Sequence, residues 1–186
     1  MGTIRSNKKE QQKSFNTCKY LFIYLMYMVT TCSLSSPLSQ KQKTVWSLIS
    51  RGLSVAVIAD RMNTTRQFVN QTKLAAEAKL STTLLEVART NDLQVTRLYA
   101  KEAILLGYHP ALKRKAIVTY STSYGIKVWY WHDKPEEVTD EEFLRQTREY
   151  LLDIAKERGI TVKDAQMHPS KLAHIIFSEL IPELKT

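Results

Sequence analysis

Apolar residues recur at intervals of three and four through residues 38–90, and gather in short runs rich in Val, Ile, Tyr and Trp through residues 92–132. The first pattern is that of helices with one buried face, and the second that of strands. Ser39 followed by Gln42 makes a capping box, in which each side chain satisfies the other's end amide. Val45, Trp46, Leu48 and Ile49 then share one helical face, and Gly52 supplies a left-handed stop. Ser54 caps a short second helix with Val55, Ile58, Ala59 and Met62 as its apolar face. The residues "NTT" turn the chain, and Thr65 caps a third helix. Ala76, Leu80, Leu84 and Val87 continue the spacing beyond it. That stripe suits either a partner helix or packing within the chain.

The start of the third helix is crowded with polar side chains. At about 100° per residue, with Val69 inward, Thr72 and Ala76 fall within about 60° of it, and Gln67 and Gln71 about 160° away. Asn70 lies at about 100° and Arg66 at about 60°, so the polar groups make an outward face beside the helix N-terminus. Leu74, at about 140°, shares the outward side. Amides pair bidentately with adenine and arginine with guanine in a major groove wide enough for a helix. The positive helix end, with Thr65, suits a phosphate. Two helices around a tight turn form the layout of a helix-turn-helix.

Farther on, "LQVTRL", "AILLGYH", "KAIVTY" and "IKVWYWH" are rich in Val, Ile, Tyr and Trp and are parted by "YAKE", "PALKR" and "STSYG". They predict an antiparallel meander of up to four strands, although the first two runs are also compatible with a helix. Thr139 with Glu142 makes another capping box, and Val138 with Phe143 a hydrophobic staple. Phe143, Leu144, Tyr150, Leu151, Ile154 and Ala155 draw an amphipathic helix that Gly159 ends. Pro169 opens a last helix, carrying Leu172, Ile175, Ile176 and Leu180, which Pro182 stops. The expected fold is α+β: a helix-turn-helix unit over residues 37–90, then residues 91–186 as a small antiparallel sheet covered by C-terminal helices. That second part is expected to dimerise or to bind a small-molecule effector.

Residues 1–36 stand apart as an N-terminal extension. A basic flank precedes ten apolar residues, Tyr20 to Val29, too few to span a bilayer, which takes about 20; no stable membrane insertion is expected. The run is compatible with a secretory signal, a peripheral anchor, a partner-bound helix, or residues upstream of a true start at Met26 or Met28.

Composition adds charge to this picture. An apolar content of 44% and a charged content of 24% suit a globular chain, but the net charge of +9 marks an anionic partner. From Leu38 to Leu80 there are seven Lys or Arg against two Asp or Glu; from Asp133 to Ile160 there are five against nine. The two cysteines, Cys18 and Cys32, lie outside the body of the chain, which speaks against a disulfide framework or a thiolate zinc site.

Residues 38–80, "LSQKQKTVWSLISRGLSVAVIADRMNTTRQFVNQTKLAAEAKL", resemble the LuxR/GerE-type tetrahelical DNA-binding domain and are similar to archaeal Tfx-like regulators and to the last region of sigma factors. Leu38, Ser39, Gln42, Val45, Trp46, Leu48, Gly52, Leu53, Ser54, Ile58, Ala59, Met62, Thr65 and Val69 carry the resemblance. Val57 stands where the family usually has Glu, and Asn63 where Gly is common. The resemblance implies DNA binding, with a dimer formed through the following helix. The order of helix-turn-helix and then "GYHP…KAIVTYSTSYGIKVWYWH" also resembles a group of uncharacterised archaeal regulators.

Little else offers chemistry. Trp129, Tyr130 and Trp131 could stack bases or line an effector pocket, or simply pack. His132–Asp133 could move a proton, and Asp164, His168 and His174 have loose metal-like spacing. Lys113, Arg114 and Lys115 suit a second phosphate contact or a solvated turn. There is no phosphate loop, dinucleotide turn or nucleophile elbow, so neither enzymatic activity nor a cofactor or metal is expected. The expected protein is a transcription regulator, cytoplasmic and nucleoid-associated, a homodimer on double-stranded DNA. Arg66, Gln67, Asn70 and Gln71 read bases, and Thr65, Lys73 and Lys79 touch the backbone. The alternative is an architectural, chromatin-like coat without strong sequence preference.

Overall fold

The computed structural model describes residues 36–131 and 140–184. Three helices come first: α1 (Gln40–Ser50), α2 (Val55–Arg61) and α3 (Arg66–Thr90). Four strands follow, β1 (Gln94–Tyr99), β2 (Ile104–His109), β3 (Arg114–Ser121) and β4 (Gly125–Tyr130), then α4 (Glu141–Glu157), α5 (Pro169–Leu180) and a 3-10 turn at Pro182–Leu184. The strands form one antiparallel meander in the order β1-β2-β3-β4. The protein is therefore α+β. The runs "LQVTRL" and "AILLGYH" are strands rather than helix.

Local chemistry sets the helix ends. Ser39 and Gln42 close the capping box, with Ser39 N–H donating to Gln42 Oε1 at 3.0 Å. Ser54 Oγ accepts from Val57 N–H at 3.4 Å. After α1, Gly52 adopts φ +84°, and the N–H groups of Gly52 and Leu53 reach back to the carbonyls of Ile49 and Leu48. Asn63 repeats this closure after α2 at φ +48°, a conformation that Asn tolerates. The expected box at Thr139 does not set the start of α4. Asp140 is its cap, accepting from Phe143 N–H at 3.0 Å, and the Glu142 carboxylate is taken by Arg145 and Gln146. Thr139 and Val138 lie outside the described residues, as does His132–Asp133.

The sheet is covered on both faces. Ile104, Leu106 and Ile117 pack against Tyr150, Leu151, Ile154, Leu172, Ile176 and Phe177 of α4 and α5, as expected for C-terminal helices. The opposite face, Leu105, Ala116, Val118, Tyr120 and Val128, packs against Ala76, Leu80, Leu84 and Ala88 of α3. This double cover explains why "AILL" and "AIVTYS" read as continuous apolar runs; both side-chain directions are buried. A smaller core of Val45, Ile58, Ala59 and Val69 holds the three N-terminal helices together. α3 ends at Thr90, where the second part is expected to begin, and it supplies residues to both the small helical core and the sheet core. Among the described residues, no helix is long and apolar enough to cross a membrane.

Candidate nucleic-acid interface

Val69 is fully buried, and the far side of α3 follows from it. Arg66, Gln67, Asn70 and Gln71 are all exposed, and none of their side chains is bonded to another described residue. Leu74 is 63% exposed on the same side. Thr65 caps the helix through Oγ1, which accepts from Phe68 N–H at 3.1 Å. The N–H groups of Arg66 and Gln67 are left pointing out of the helix end, as first-turn amides do.

The two lysines expected to contact the backbone are engaged within the chain. Lys73 lies on the inner flank and is mostly enclosed, its Nζ 3.8 Å from Glu77 Oε1. Lys79 donates to Gln42 Oε1 at 3.2 Å, tying α3 to the start of α1. A cation that sequence reasoning missed stands nearer the helix start. Lys41, in the first turn of α1, holds its ammonium 5.9 Å from the centre of the Phe68 ring. The capping box that fixes α1 could have pointed to it, since Lys41 is the second residue of that helix.

The run Lys113–Lys115 turns β2 into β3 near the opposite end of α3, where Leu93 packs beside Gly107. Helix rise puts that end about 35 Å from Gln67, so the run is not part of the same face. The stripe of Ala76, Leu80, Leu84 and Val87 is packed against the sheet and is not open to a partner helix.

The remaining aromatic and titratable residues resolve into packing. Trp129 meets Phe177 and Trp131 meets His174, with ring centres 6.5 and 4.0 Å apart. Tyr130 points the other way, toward His109 at 5.9 Å. His168 caps α5, its Nδ1 accepting from Ser170 N–H. Among the described residues there is no group of three His, Cys, Asp or Glu that could hold a metal.

Sequence reasoning also missed a polar cluster where α4 ends against the β3–β4 hairpin. Ser121 Oγ donates to Asp153 at 2.6 Å, and the N–H of Thr122 donates to Glu157 Oε1 at 2.8 Å. Burial holds the Glu157 carboxyl above its ordinary range despite the hydrogen bonds from Thr122. Lys127 lies over the rings of Tyr124 and Tyr150, 5.2 and 4.7 Å from their centres, and burial lowers its affinity for a proton. No spacing rule reveals this cluster, because Arg158 before Gly159 reads as an ordinary cation at a helix C-terminus.

No protein-family model, curated protein or solved structure matches this chain.

Proposed function

We propose that the chain is a sequence-reading DNA-binding protein, a transcription regulator that sets the first turns of α3 into the major groove. One observation carries this reading: the side chains of Arg66, Gln67, Asn70 and Gln71 are exposed together at a helix N-terminus and bonded to no other described residue. Amide and guanidinium groups held this way suit bidentate pairing with adenine and guanine. Leu74 beside them suits a thymine methyl, and the free amides of the helix end suit a phosphate. The likeness of residues 38–80 to LuxR/GerE-type domains supports the same reading, as does the basic excess around these helices.

In a two-fold dimer, two such helices would meet half-sites about one DNA turn apart. Pairing would use a surface other than the sheet-covered stripe of α3. Selection of duplexes from a randomised pool, followed by affinity measurements at fixed salt, tests the proposal. A selected duplex bound roughly 10³-fold or more above random duplex is expected. A ratio near one with steep salt dependence would instead assign an architectural coat.

A further inference from the structure

Arg158 follows α4 directly, and its side chain is 3% exposed. Nη2 donates to the carbonyls of Glu102 at 2.9 Å and Tyr120 at 2.8 Å, while Nη1 lies 3.6 Å from Glu157 Oε2. The guanidinium carbon stands 5.4 Å from the centre of the Trp46 ring. A single buried cation thus grips the start of β2, the end of β3 and the indole of α1. Four buried side-chain atoms at this junction, Trp46 Nε1, Tyr150 OH, Glu157 Oε2 and Arg158 Nε, close no hydrogen bond of normal geometry with a described residue. A partly satisfied polar core tolerates loss of a member poorly, because each remaining group is left still less compensated.

What the junction holds matters for α3. The residues from Arg66 to Ala75 contribute no side chain to the sheet core; Val69 anchors this part, against Val45, Ile58 and Ala59. Those first turns therefore project as a cantilever braced by α1 and α2, of which α1 also reaches the sheet core. Adjacent residues of α1 make the two grips, Val45 on Val69 and Trp46 in the sheet core.

We infer that Arg158 is a positioning residue for the reading face: it fixes Trp46, and through α1 it sets the angle of the first turns of α3. The inference rests on the proposed DNA reading for its consequence, but the brace itself is measurable without DNA. Amide hydrogen exchange on the full chain is compared for the parent, Arg158→Met and Arg158→Lys. In Arg158→Met, amides 69–75 are expected to exchange about tenfold faster while amides 80–90 are unchanged. The ratio of selected to random duplex affinity should fall about tenfold, at a temperature where the variant remains folded. Arg158→Lys should lie between, since it keeps the charge but cannot span two carbonyls and an indole.

Equal acceleration in both halves of α3, or none, overturns the inference. If Arg158→Met does not fold, the exchange contrast in Arg158→Lys decides it. If the parent prefers no duplex, the DNA reading fails while the exchange contrast still decides the brace.

Discussion

The rings of Tyr120 and Trp46 meet edge to face, their centres 5.1 Å apart and their planes at 74°. The pair joins α1 to β3, so the N-terminal helices and the sheet share a core. Trp46→Ala should cost about 3–5 kcal/mol, with loss of the edge-to-face contact included. Because α3 runs through both cores, residues 36–184 should melt in one transition, with the calorimetric and van't Hoff enthalpies agreeing. Two resolved transitions would contradict the shared core.

At the interface, Gln67→Ala or Asn70→Ala should each cost about 1–3 kcal/mol on the selected duplex and relax preference at one base position. Lys41→Ala should weaken all duplexes alike and reduce the salt slope by about one. Lys113→Ala with Lys115→Ala should leave the selected-to-random ratio unchanged, since that turn is remote from Gln67. Fluorescence anisotropy across a salt series measures all three.

The Tyr150 hydroxyl is buried, and although Thr119 is near it, it closes no hydrogen bond of normal geometry with a described residue. Tyr150→Phe keeps the ring under Lys127 and removes the unmatched group, so denaturant titration should show a gain of about 1 kcal/mol.

Alkaline pH should unfold the protein. Burial raises the phenol groups of Tyr120, Tyr124, Tyr130 and Tyr150 above their ordinary value of 10.0, and burial with the Glu183 carboxylate pushes Tyr99 up to about 12. The unfolded chain therefore releases these protons first, and stability falls as pH rises above 10. Lys127 works the other way. Its lowered value means the unfolded chain holds the proton more tightly, so stability rises on approach to the ordinary 10.5. Five tyrosines against one lysine set the net direction downward. The melting temperature should drop between about pH 10 and 12, less steeply in Tyr150→Phe.

Gly52 sits at φ +84°, with open space where a Cβ would stand. Gly52→Ala should cost about 1 kcal/mol through backbone conformation alone. Gly52→Asn should cost less, since Asn63 closes α2 in the same region. Thermal melts of the two variants, compared with the parent, check the order.

Much of this fold was legible in the sequence because its signals are local. Ser39, Gln42, Gly52, Ser54, Asn63 and Thr65 mark helix ends through bonds within a few residues, and Val69 fixes the outward side of α3 by rotation alone. The Val, Ile, Tyr and Trp content of "KAIVTY" and "IKVWYWH", with turn residues between them, marked the strands for the same reason. What escaped depends on distant pairings. The stripe of Ala76, Leu80 and Leu84 looks the same whether it faces a partner or its own sheet. Lys79 looks free until Gln42 is seen beside it, whereas Lys73 and Glu77, four residues apart on one helix, were within reach of the sequence. Nothing near Arg158 in the sequence says that Trp46 lies beneath it.

The continuity of α3 has a consequence for how such a chain can change over generations. Val69, Ala76, Leu80, Leu84 and Ala88 are committed to cores, whereas Arg66, Gln67, Asn70, Gln71 and Leu74 touch none. On the proposed DNA reading, substitutions on the outward side would shift which duplex is preferred without disturbing the packed rod beneath. Surface chemistry and foldability are separable here, carried by interleaved positions of a single helix.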